Sequence, residues 1–306
     1  MSKISRRQFF KRSSTVLAGI AAATVMPKDI YAKVITKTNI KAGSGFTMWQ
    51  LNTQCNQIGN TYVFLTDKGR VVVMDGGCDQ DEYYLRGFLA MLGNNVDTWF
   101  VSHPHRDHIM SLNKILKEPR GIKIRRLIHS RFTEDLINGE SKETMDLTND
   151  FYATLDKSFD MEVVNLTKPG LTENIDGFNF KILGVSNPEF LKNPYNNSSV
   201  IIRVWDKKKS LVFLGDAGIE CGNKVLTSKY RKDLDCDYLQ IAHHGQRGCD
   251  KHFYQTIYFK VCLWSTPKWV WENSNGNLDT LKTRAWMDEI GIKEHHVSWM
   301  GLWQLD

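Results

Sequence analysis

The sequence predicts one domain that mixes helices and strands, of the α/β (α+β) class. Its two β-sheets are flanked by helices. Hairpin signals are interleaved with single helical segments along the chain, and this order fits two packed sheets better than a doubly wound parallel sheet. The 306 residues contain no repeat, and the seven prolines are scattered rather than gathered into a linker. A composition of 42% hydrophobic and 24% charged residues excludes a disordered, collagen-like or small disulfide-stapled chain.

The first half of the chain predicts strands that alternate with helices. Apolar β-type runs occupy 46–51, 61–66 and 70–74, followed by Leu85, Phe88 and Leu89 at helical spacing. Gly93 ends that helix. The remaining elements predicted in this half are strands at 98–101 and 122–128 and a helix at 144–159.

The second half predicts two hairpins and then further strand–helix alternation. One hairpin turns at Asp176-Gly177, with 178–185 as its second arm, and the other joins 200–205 to 211–214. The elements predicted after them are strands at 238–242, 259–264 and 296–299 and helices near 250–257 and 278–290.

The basic charge of the chain is concentrated at its N-terminal end. Residues 1–32 hold six basic side chains and one acidic side chain, so the remaining 274 residues carry a net charge of +1 out of the total of +6. Nucleic acid remains a possible partner, but the bulk charge does not favour a protein that coats it.

The N-terminal segment predicts an export signal. Residues 5–11 read Ser-Arg-Arg-Gln-Phe-Phe-Lys and precede an apolar run at 16–26, which is about half the length that spans a bilayer. This pattern resembles the twin-arginine (Tat) signal, with Phe10 in place of the usual Leu, whereas a general secretory signal is the alternative. We therefore expect a signal peptide at 1–32, a mature domain at 33–306, passage through the Tat translocase, no stable membrane anchor, and a periplasmic or extracellular location.

The six cysteines leave disulfide pairing open. An exported chain permits disulfides, but the absence of any C-x-x-C spacing gives no support for a structural zinc knot or a thioredoxin-like centre.

A cluster of metal-ligand residue types follows the predicted strand at 98–101. His103 and His105 are two residues apart, so both imidazoles project to the same side of an extended loop and can chelate one cation. Asp107 and His108 follow at once, and a turn there would direct them at a second, neighbouring position. Imidazole and carboxylate ligands suit zinc, with manganese or iron as alternatives. A loop that is merely polar rarely carries four residues of metal-ligand type within six positions.

Two later strands end in residues of the same kinds. Residues 211–214 lead into Gly215-Asp216, and residues 238–242 lead into His243-His244. A carboxylate has two oxygens and can bridge two cations about 3.5–4 Å apart, as in two-metal hydrolases. Taken alone, an Asp after a strand is more often a turn residue, but its combination with the His103–His108 segment favours a metal site.

Together these motifs resemble the metallo-β-lactamase superfamily, and most closely the extracellular hydrolase domain of ComEC-type DNA-uptake proteins. The likeness covers roughly 46–265. The motifs that carry it are Asp75-Gly76-Gly77, the H-x-H-x-D-H sequence of His103–His108, the Asn/Ser-rich stretch 196–199, Gly215-Asp216 and His243-His244-Gly245.

The resemblance implies a four-layer αββα sandwich with two zinc ions at one edge of the sheets. It assigns His103 and His105 to the first metal, and Asp107, His108 and a histidine of the 243–244 pair to the second, with Asp216 as the bridge. His244 is favoured because the family ligand lies directly before a small residue, here Gly245. In this pattern Asp107 and Asp216 are the catalytic carboxylates, with Asp107 orienting the nucleophile. His243, Asn197 and Asp75 are further candidates for a ligand or a supporting residue.

One family feature is missing. Many members supply another histidine to the first metal from the stretch before Asp216, but this chain has no histidine between His129 and His243. Asn197 lies near that place and would be a poor zinc ligand.

The resemblance predicts an exported hydrolase in which a metal-bound hydroxide attacks a phosphoester or phosphodiester. The alternatives are a hydrolase of carboxylic esters, lactones or amides, including β-lactams, and a non-catalytic exported binding protein. Six of the nine tryptophans follow residue 263. Packing is their usual role, but Trp269 and Trp271, in a Pro/Asn-rich loop at 267–277, are the candidates for exposure and for substrate contact.

Overall fold

A computed structural model describes residues 45–158 and 160–306. The predicted signal peptide at 1–32 lies outside the described residues. Two mixed seven-stranded sheets pack against each other, with helices on both outer faces. The predicted α/β class, in its αββα sandwich form, is therefore confirmed.

The first sheet is built mainly from the N-terminal half of the chain. Its strands pair antiparallel from β14 to β3 and parallel from β3 to β6. In spatial order they are β14 (Trp303–Leu305), β1 (Phe46–Gln50), β2 (Tyr62–Thr66), β3 (Val71–Met74), β4 (Asn95–Phe100), β5 (Lys123–His129) and β6 (Glu162–Asn165).

The second sheet repeats this plan with the C-terminal half. Its strands pair antiparallel from β7 to β10 and parallel from β10 to β13. In spatial order they are β13 (Glu294–Val297), β12 (Val261–Trp264), β11 (Tyr238–Gln240), β10 (Ser210–Phe213), β9 (Ile201–Trp205), β8 (Phe178–Gly184) and β7 (Thr172–Ile175).

Eight α-helices are found in the described part of the chain, and most of them cover the outer faces of the sheets. They are α1 (Glu82–Met91), α2 (Arg106–Lys117), α3 (Glu134–Ile137), α4 (Lys142–Leu155), α5 (Ile219–Leu226), α6 (Lys251–Thr256), α7 (Lys268–Trp271) and α8 (Thr280–Glu289).

The central strands, such as β2 and β3, are apolar on both faces, and alternate residues belong to different layers of the core. In β2, Tyr62 and Phe64 belong to the core between the sheets, whereas Val63 and Leu65 belong to the core under the helices. This period of two follows from the pleat, which turns successive side chains to opposite faces. Strands buried on both faces lose the alternation of polar and apolar residues that an exposed sheet would show.

Several elements differ from those the sequence predicts. The segment after His105 forms the twelve-residue helix α2 rather than a turn, and β6, β14 and α5 were not predicted. The predicted helix at 144–159 ends at Leu155, and the last predicted strand lies at Glu294–Val297, two residues earlier than expected. Asp107 and His108 in the first turn of α2 obscured its apolar face in the sequence, because helical periodicity starts only at Ile109.

The described residues contain all six cysteines of the chain, and each is a free thiol. Five are buried, and Cys55 is exposed. Between residues 45 and 306, leaving out residue 159, no helix has both the length and the apolar character needed to cross a bilayer.

We expect Phe64→Ala to lower the free energy of unfolding by about 3–5 kcal/mol, because it removes a buried ring from the core between the sheets. The Phe64 ring packs edge-on against Phe178 and Phe213 at centroid distances of 5.0 and 5.8 Å. Urea denaturation measures the change. Tyr83→Ala, at a side chain that is 71% exposed, is the control and should change stability by less than about 0.5 kcal/mol. Equal effects of the two variants would contradict the assigned core.

Candidate metal centre

The candidate ligands lie in loops that follow parallel strands at one edge of the sandwich. β3 leads into Asp75, and β4 leads through Ser102 into His103 and His105. His105 is the N-cap of α2, so Asp107 and His108 occupy the first turn of that helix. The predicted extended segment at His103–His105 is therefore followed by a helix, which fixes the direction of the next two ligands.

The second sheet supplies the remaining candidates. β10 leads into Gly215 and Asp216, and β11 leads into a short 3-10 turn that contains His243 and His244. The two loop systems are tied together, since Val200 N–H donates a hydrogen bond of 2.8 Å to the carbonyl of Ser102. A Cβ on Gly215, which has φ +56°, would lie 2.9 Å from the Cβ of Ser102. Glycine is therefore required where the loops of the two sheets meet.

Four side chains form one group at this junction, namely Asp107, His108, Asp216 and His244. His244 Nε2 lies 2.9 Å from Asp107 Oδ2 and 3.4 Å from Asp216 Oδ2. His108 Nε2 lies 3.2 Å from Asp216 Oδ1 and 3.8 Å from Asp107 Oδ2. Ligand atoms that share a tetrahedral ion at about 2.0–2.2 Å are ~3.4 Å apart, so these separations fit a common cation.

A second group shares Asp216 with the first and adds His103 and His105. His103 Nε2 lies 3.0 Å from His105 Nδ1 and 3.9 Å from Asp216 Oδ2. The His105 ring stacks on Tyr195 at 5.0 Å, and its Nε2 lies 3.9 Å from Glu140 Oε1. Because Glu140 and Tyr195 fix the ring, Nδ1 of His105 is the nitrogen that faces the group.

Hydrogen bonds fix which nitrogen of two central histidines is a free acceptor. His108 Nδ1 donates to Asp75 Oδ2 at 2.8 Å, and His244 Nδ1 donates to the carbonyl of Ser265 at 2.7 Å. Their Nε2 atoms, together with Asp216 Oδ1, are buried and have no hydrogen-bond partner. Buried polar atoms without partners are costly, so three of them around one point indicate a site built for a cation.

Asp75 is the supporting residue of this centre. It is fully buried, and its carboxylate also accepts hydrogen bonds from Ser102 N–H, Ser102 Oγ–H and the Asn60 amide at 2.6–2.8 Å. Such outer carboxylates orient metal-binding imidazoles and raise their basicity.

The electrostatics of the cluster favour an added positive charge. Burial lowers the pKa of His244, but the Asp216 and Asp107 carboxylates outweigh it and raise this pKa to about 10. Burial also lowers the pKa of His108, but the Asp216 and Asp75 carboxylates outweigh this effect and hold the pKa well above its usual range. Burial and the neighbouring imidazoles of His108 and His105 instead lower the pKa of His103. The carboxylates therefore demand a proton or a metal cation beside them.

His243 and Asn197 occupy different places from the clustered ligands. His243 Nε2 lies 3.7 Å from Asp216 Oδ2, and the side chain is 15% exposed. The Asn197 amide is engaged elsewhere, because its oxygen accepts from Cys221 N–H and its nitrogen donates to Glu220 and to the Lys192 carbonyl. The Ser199 hydroxyl lies 3.4 Å from His103 Nδ1, which Ser102 Oγ approaches to 3.1 Å, and it also accepts from Asp216 N–H.

Trp269 and Trp271 were predicted to lie in an exposed loop, but the structure places them differently. Residues 268–271 form α7, and both tryptophans are half-buried. Trp271 packs against Trp264 at 5.2 Å and beneath the Arg284 guanidinium at 4.0 Å, while Trp269 Nε1–H donates to the Asn56 carbonyl. Packing of the second sheet and its helices therefore accounts for Trp271.

A different tryptophan lines a cavity beside the metal centre. This cavity has a volume of about 710 Å³, and its lining includes His243, Arg247 and Trp286. Trp286 is one of the six tryptophans that follow residue 263, and no sequence signal distinguishes it from the other five. The cavity walls come from three helices that are distant in sequence, so only the tertiary structure identifies them.

Fold and site together define a class. Two packed sheets meet at a buried His/Asp centre whose ligand atoms lie close enough together to hold cations. The family model of the metallo-β-lactamase superfamily matches residues 56–245, which is more than half of the chain and includes every clustered ligand. The chain belongs to the metallo-β-lactamase superfamily of hydrolases.

Solved structures share the fold at low sequence identity. The metallo-β-lactamase fold protein YhfI from Bacillus subtilis has 11% identity and a TM-score of 0.52, over 84% of this chain and 99% of its own. Yeast PDE1 has 10% identity and a TM-score of 0.51, over 83% and 97% of the two chains. A mutant of CmlA β-hydroxylase has 10% identity and a TM-score of 0.52, and the match covers 94% of this chain and 61% of the CmlA chain. Curated protein sequences give no significant match.

We expect Asp75→Asn to weaken metal binding about 10- to 100-fold, because His108 loses the carboxylate that orients it and strengthens it as a donor. A competition titration against a chromophoric chelator measures the affinity. Asp97→Asn is the matched control, since Asp97 is a buried carboxylate of the same sheet that pairs with Arg125 instead. An unchanged affinity in the Asp75 variant would exclude the supporting role.

Proposed function

We propose that the chain is an exported hydrolase that uses two zinc ions to cleave phosphoesters, phosphodiesters above all. The observation that carries this proposal is Asp216, which belongs to both ligand groups. Oδ1 lies 3.2 Å from His108 Nε2, and Oδ2 lies 3.4 Å from His244 Nε2 of the same group and 3.9 Å from His103 Nε2 of the other. A carboxylate so placed is suited to bridge two cations, as in two-metal hydrolases.

The donor set supports zinc as the metal. Imidazole nitrogens and carboxylate oxygens are zinc ligands, and the absence of thiolate from both groups leaves manganese or iron as alternatives. His103 and His105 would hold the first ion, Asp107, His108 and His244 the second, and Asp216 both.

The roles of the protein groups follow from their contacts. Bound zinc supplies Lewis acidity and lowers the pKa of water toward neutrality. Asp107 is 24% exposed, more than His108, Asp216 or His244, so it is the carboxylate able to accept a hydrogen bond from an entering water and orient it. Asp75 and the Ser265 carbonyl hold the protons of His108 and His244 on Nδ1 and leave each Nε2 as a donor to metal.

The first metal position supports a phosphoester substrate over a β-lactam. The stretch before Asp216 supplies no histidine, and its Ser199 hydroxyl lies 3.4 Å from His103 Nδ1 rather than beside Nε2, which faces His105. This departure separates the chain from true β-lactamases and matches the ComEC-type pattern on which the phosphoester proposal rests. Hydrolysis of a carboxylic ester, lactone or amide and a non-catalytic binding role are the competing outcomes of the test below.

We expect the purified protein to contain about two metal ions and to hydrolyse bis-p-nitrophenyl phosphate. Asp216→Ala should remove nearly all turnover, because both metals lose a ligand. His103→Ala should lower turnover, because the first metal is bound more weakly. Elemental analysis and release of p-nitrophenolate are the measurements, with single-stranded DNA as a polymeric phosphodiester.

The same screen includes a p-nitrophenyl carboxylic ester and a chromogenic β-lactam. Turnover of these alone would replace the phosphoester proposal with the carboxylic ester or amide alternative. A protein without metal and without turnover would leave a binding protein on a hydrolase fold. Asp97→Asn again serves as the control for nonspecific loss of structure.

Export is the second part of the proposal, and it rests on the Arg6-Arg7 pair. We expect Arg6→Lys combined with Arg7→Lys to abolish export of a reporter fused behind residues 1–32, because the Tat route reads the paired arginines. Arg12→Lys is the control, since it is a basic residue of the same segment outside the pair. Unchanged export by the paired variant would favour the general secretory route. Cell fractionation provides the measurement.

A further inference from the structure

The cavity beside the metal centre is placed to receive part of a substrate. His243 lines it and also lies 3.7 Å from Asp216 Oδ2, so the cavity opens next to the clustered ligands. Its volume of about 710 Å³ lies within the usual range for small-molecule sites. The first turns of α5, α6 and α8 contribute to its walls.

The cavity carries both signs of charge, and most of these charges are not paired. Lys192, Arg247 and Lys282 line it, and so do Glu220 and Asp279. None of these five side chains forms an ion pair within 4.0 Å with any other described residue, whereas the lining residue Lys251 pairs with Glu289 outside the cavity. Opposite charges that face one space without meeting each other leave room for a ligand that carries both signs.

The carboxylates of Glu220 and Asp279 make few hydrogen bonds within the protein. Glu220 accepts one hydrogen bond, of 2.9 Å, from the Asn197 amide, which leaves its charge uncompensated. Asp279 is the N-cap of α8, but its side chain makes no capping hydrogen bond with that helix. The third acidic lining residue, Asp250, differs because it caps α6 by accepting from Phe253 N–H.

This lining does not suit a nucleic-acid strand. A groove for single-stranded nucleic acid combines a continuous basic track with exposed stacking rings. Here carboxylates interrupt the basic side chains, and Trp286 is half-buried beneath Lys282, whose ammonium lies 5.3 Å from the ring centroid. Repulsion by Glu220 and Asp279 would oppose successive phosphates.

We infer that this cavity binds the non-scissile substituent of a small phosphodiester and that this substituent carries a cationic group. Glu220 and Asp279 receive the cation, and the basic residues Lys192, Arg247 and Lys282 favour the phosphate. The inference rests on the proposed phosphoester function and narrows its substrate to small dipolar molecules.

Two substrates with one leaving group test the inference. In p-nitrophenyl 2-aminoethyl phosphate the substituent bears an ammonium group, and in p-nitrophenyl ethyl phosphate it does not. Water forms a new P–O bond as the bond to p-nitrophenolate breaks, which releases 2-aminoethyl phosphate or ethyl phosphate. We expect kcat/KM to be about tenfold higher for the aminoethyl substrate, the effect of one charge-assisted hydrogen bond.

The combined variant Glu220→Gln/Asp279→Asn should bring that ratio to about one. Asp288→Asn is the matched control, because Asp288 is an exposed carboxylate of α8 outside the cavity, and it should keep the preference. Filling the cavity by Ile219→Trp should raise KM for both substrates, whereas Leu281→Trp, at an exposed residue outside the lining, should not.

Calorimetric titration of the zinc-supplied protein with 2-aminoethyl phosphate and with ethyl phosphate gives a readout that does not need turnover. Tighter binding of the aminoethyl compound, lost in the double variant, supports the cavity assignment. Equal binding of the two compounds by the wild type, or a preference that survives in the double variant, overturns it. Absence of turnover with both diesters would refute the phosphoester function, and the titration alone would then decide on the cavity.

Discussion

The structure depends on the burial of negative charge where the two sheets meet. Asp75 and Asp216 are at most 1% exposed, and Asp107 joins them at the same junction. A buried carboxylate is tolerated only when cations or hydrogen-bond donors surround it. Asp75 meets this requirement with Ser102, Asn60 and His108, whereas Asp216 keeps one oxygen without any partner. The loops of both sheets surround this oxygen, which has no hydrogen-bond partner.

Holding the ligands in place carries a cost in the backbone. His243 and His244 both adopt left-handed conformations, with φ of +51° and +55°, which cost about 1–2 kcal/mol per residue for non-glycine residues. The turn persists because its surroundings determine it. Thr266 Oγ1–H donates to the His244 carbonyl, and Gly245 packs so closely on Trp264 that a Cβ would lie 2.3 Å from the indole. Backbone strain of this kind is typical of functional sites.

The fold class and the clustered residues can be predicted from the sequence, but their surroundings cannot. The ligand candidates follow apolar strands, and strand ends meet at one edge, so the sequence pattern associates Asp216 and the His243–His244 pair with His103 and His108, and the family resemblance favours His244. The first turn of α2 could not be predicted, because ligand residues replace apolar ones where the helical pattern would begin. Likewise Trp271 and Trp286 both belong to the late tryptophans, and only packing separates a core side chain from one that lines the cavity.

The wide spacing of the ligands along the chain has a consequence for assembly. The first ligand is His103, and the last is His244, whose orientation requires the carbonyl of Ser265 in the strand connection beyond it. A chain that is still being synthesised therefore lacks a complete site until most of its length has left the ribosome. Metal capture and the docking of the second sheet become one late event, because ligands from both sheets must already be in register. A metal ion at this centre would thus report that the two halves of the molecule have assembled correctly.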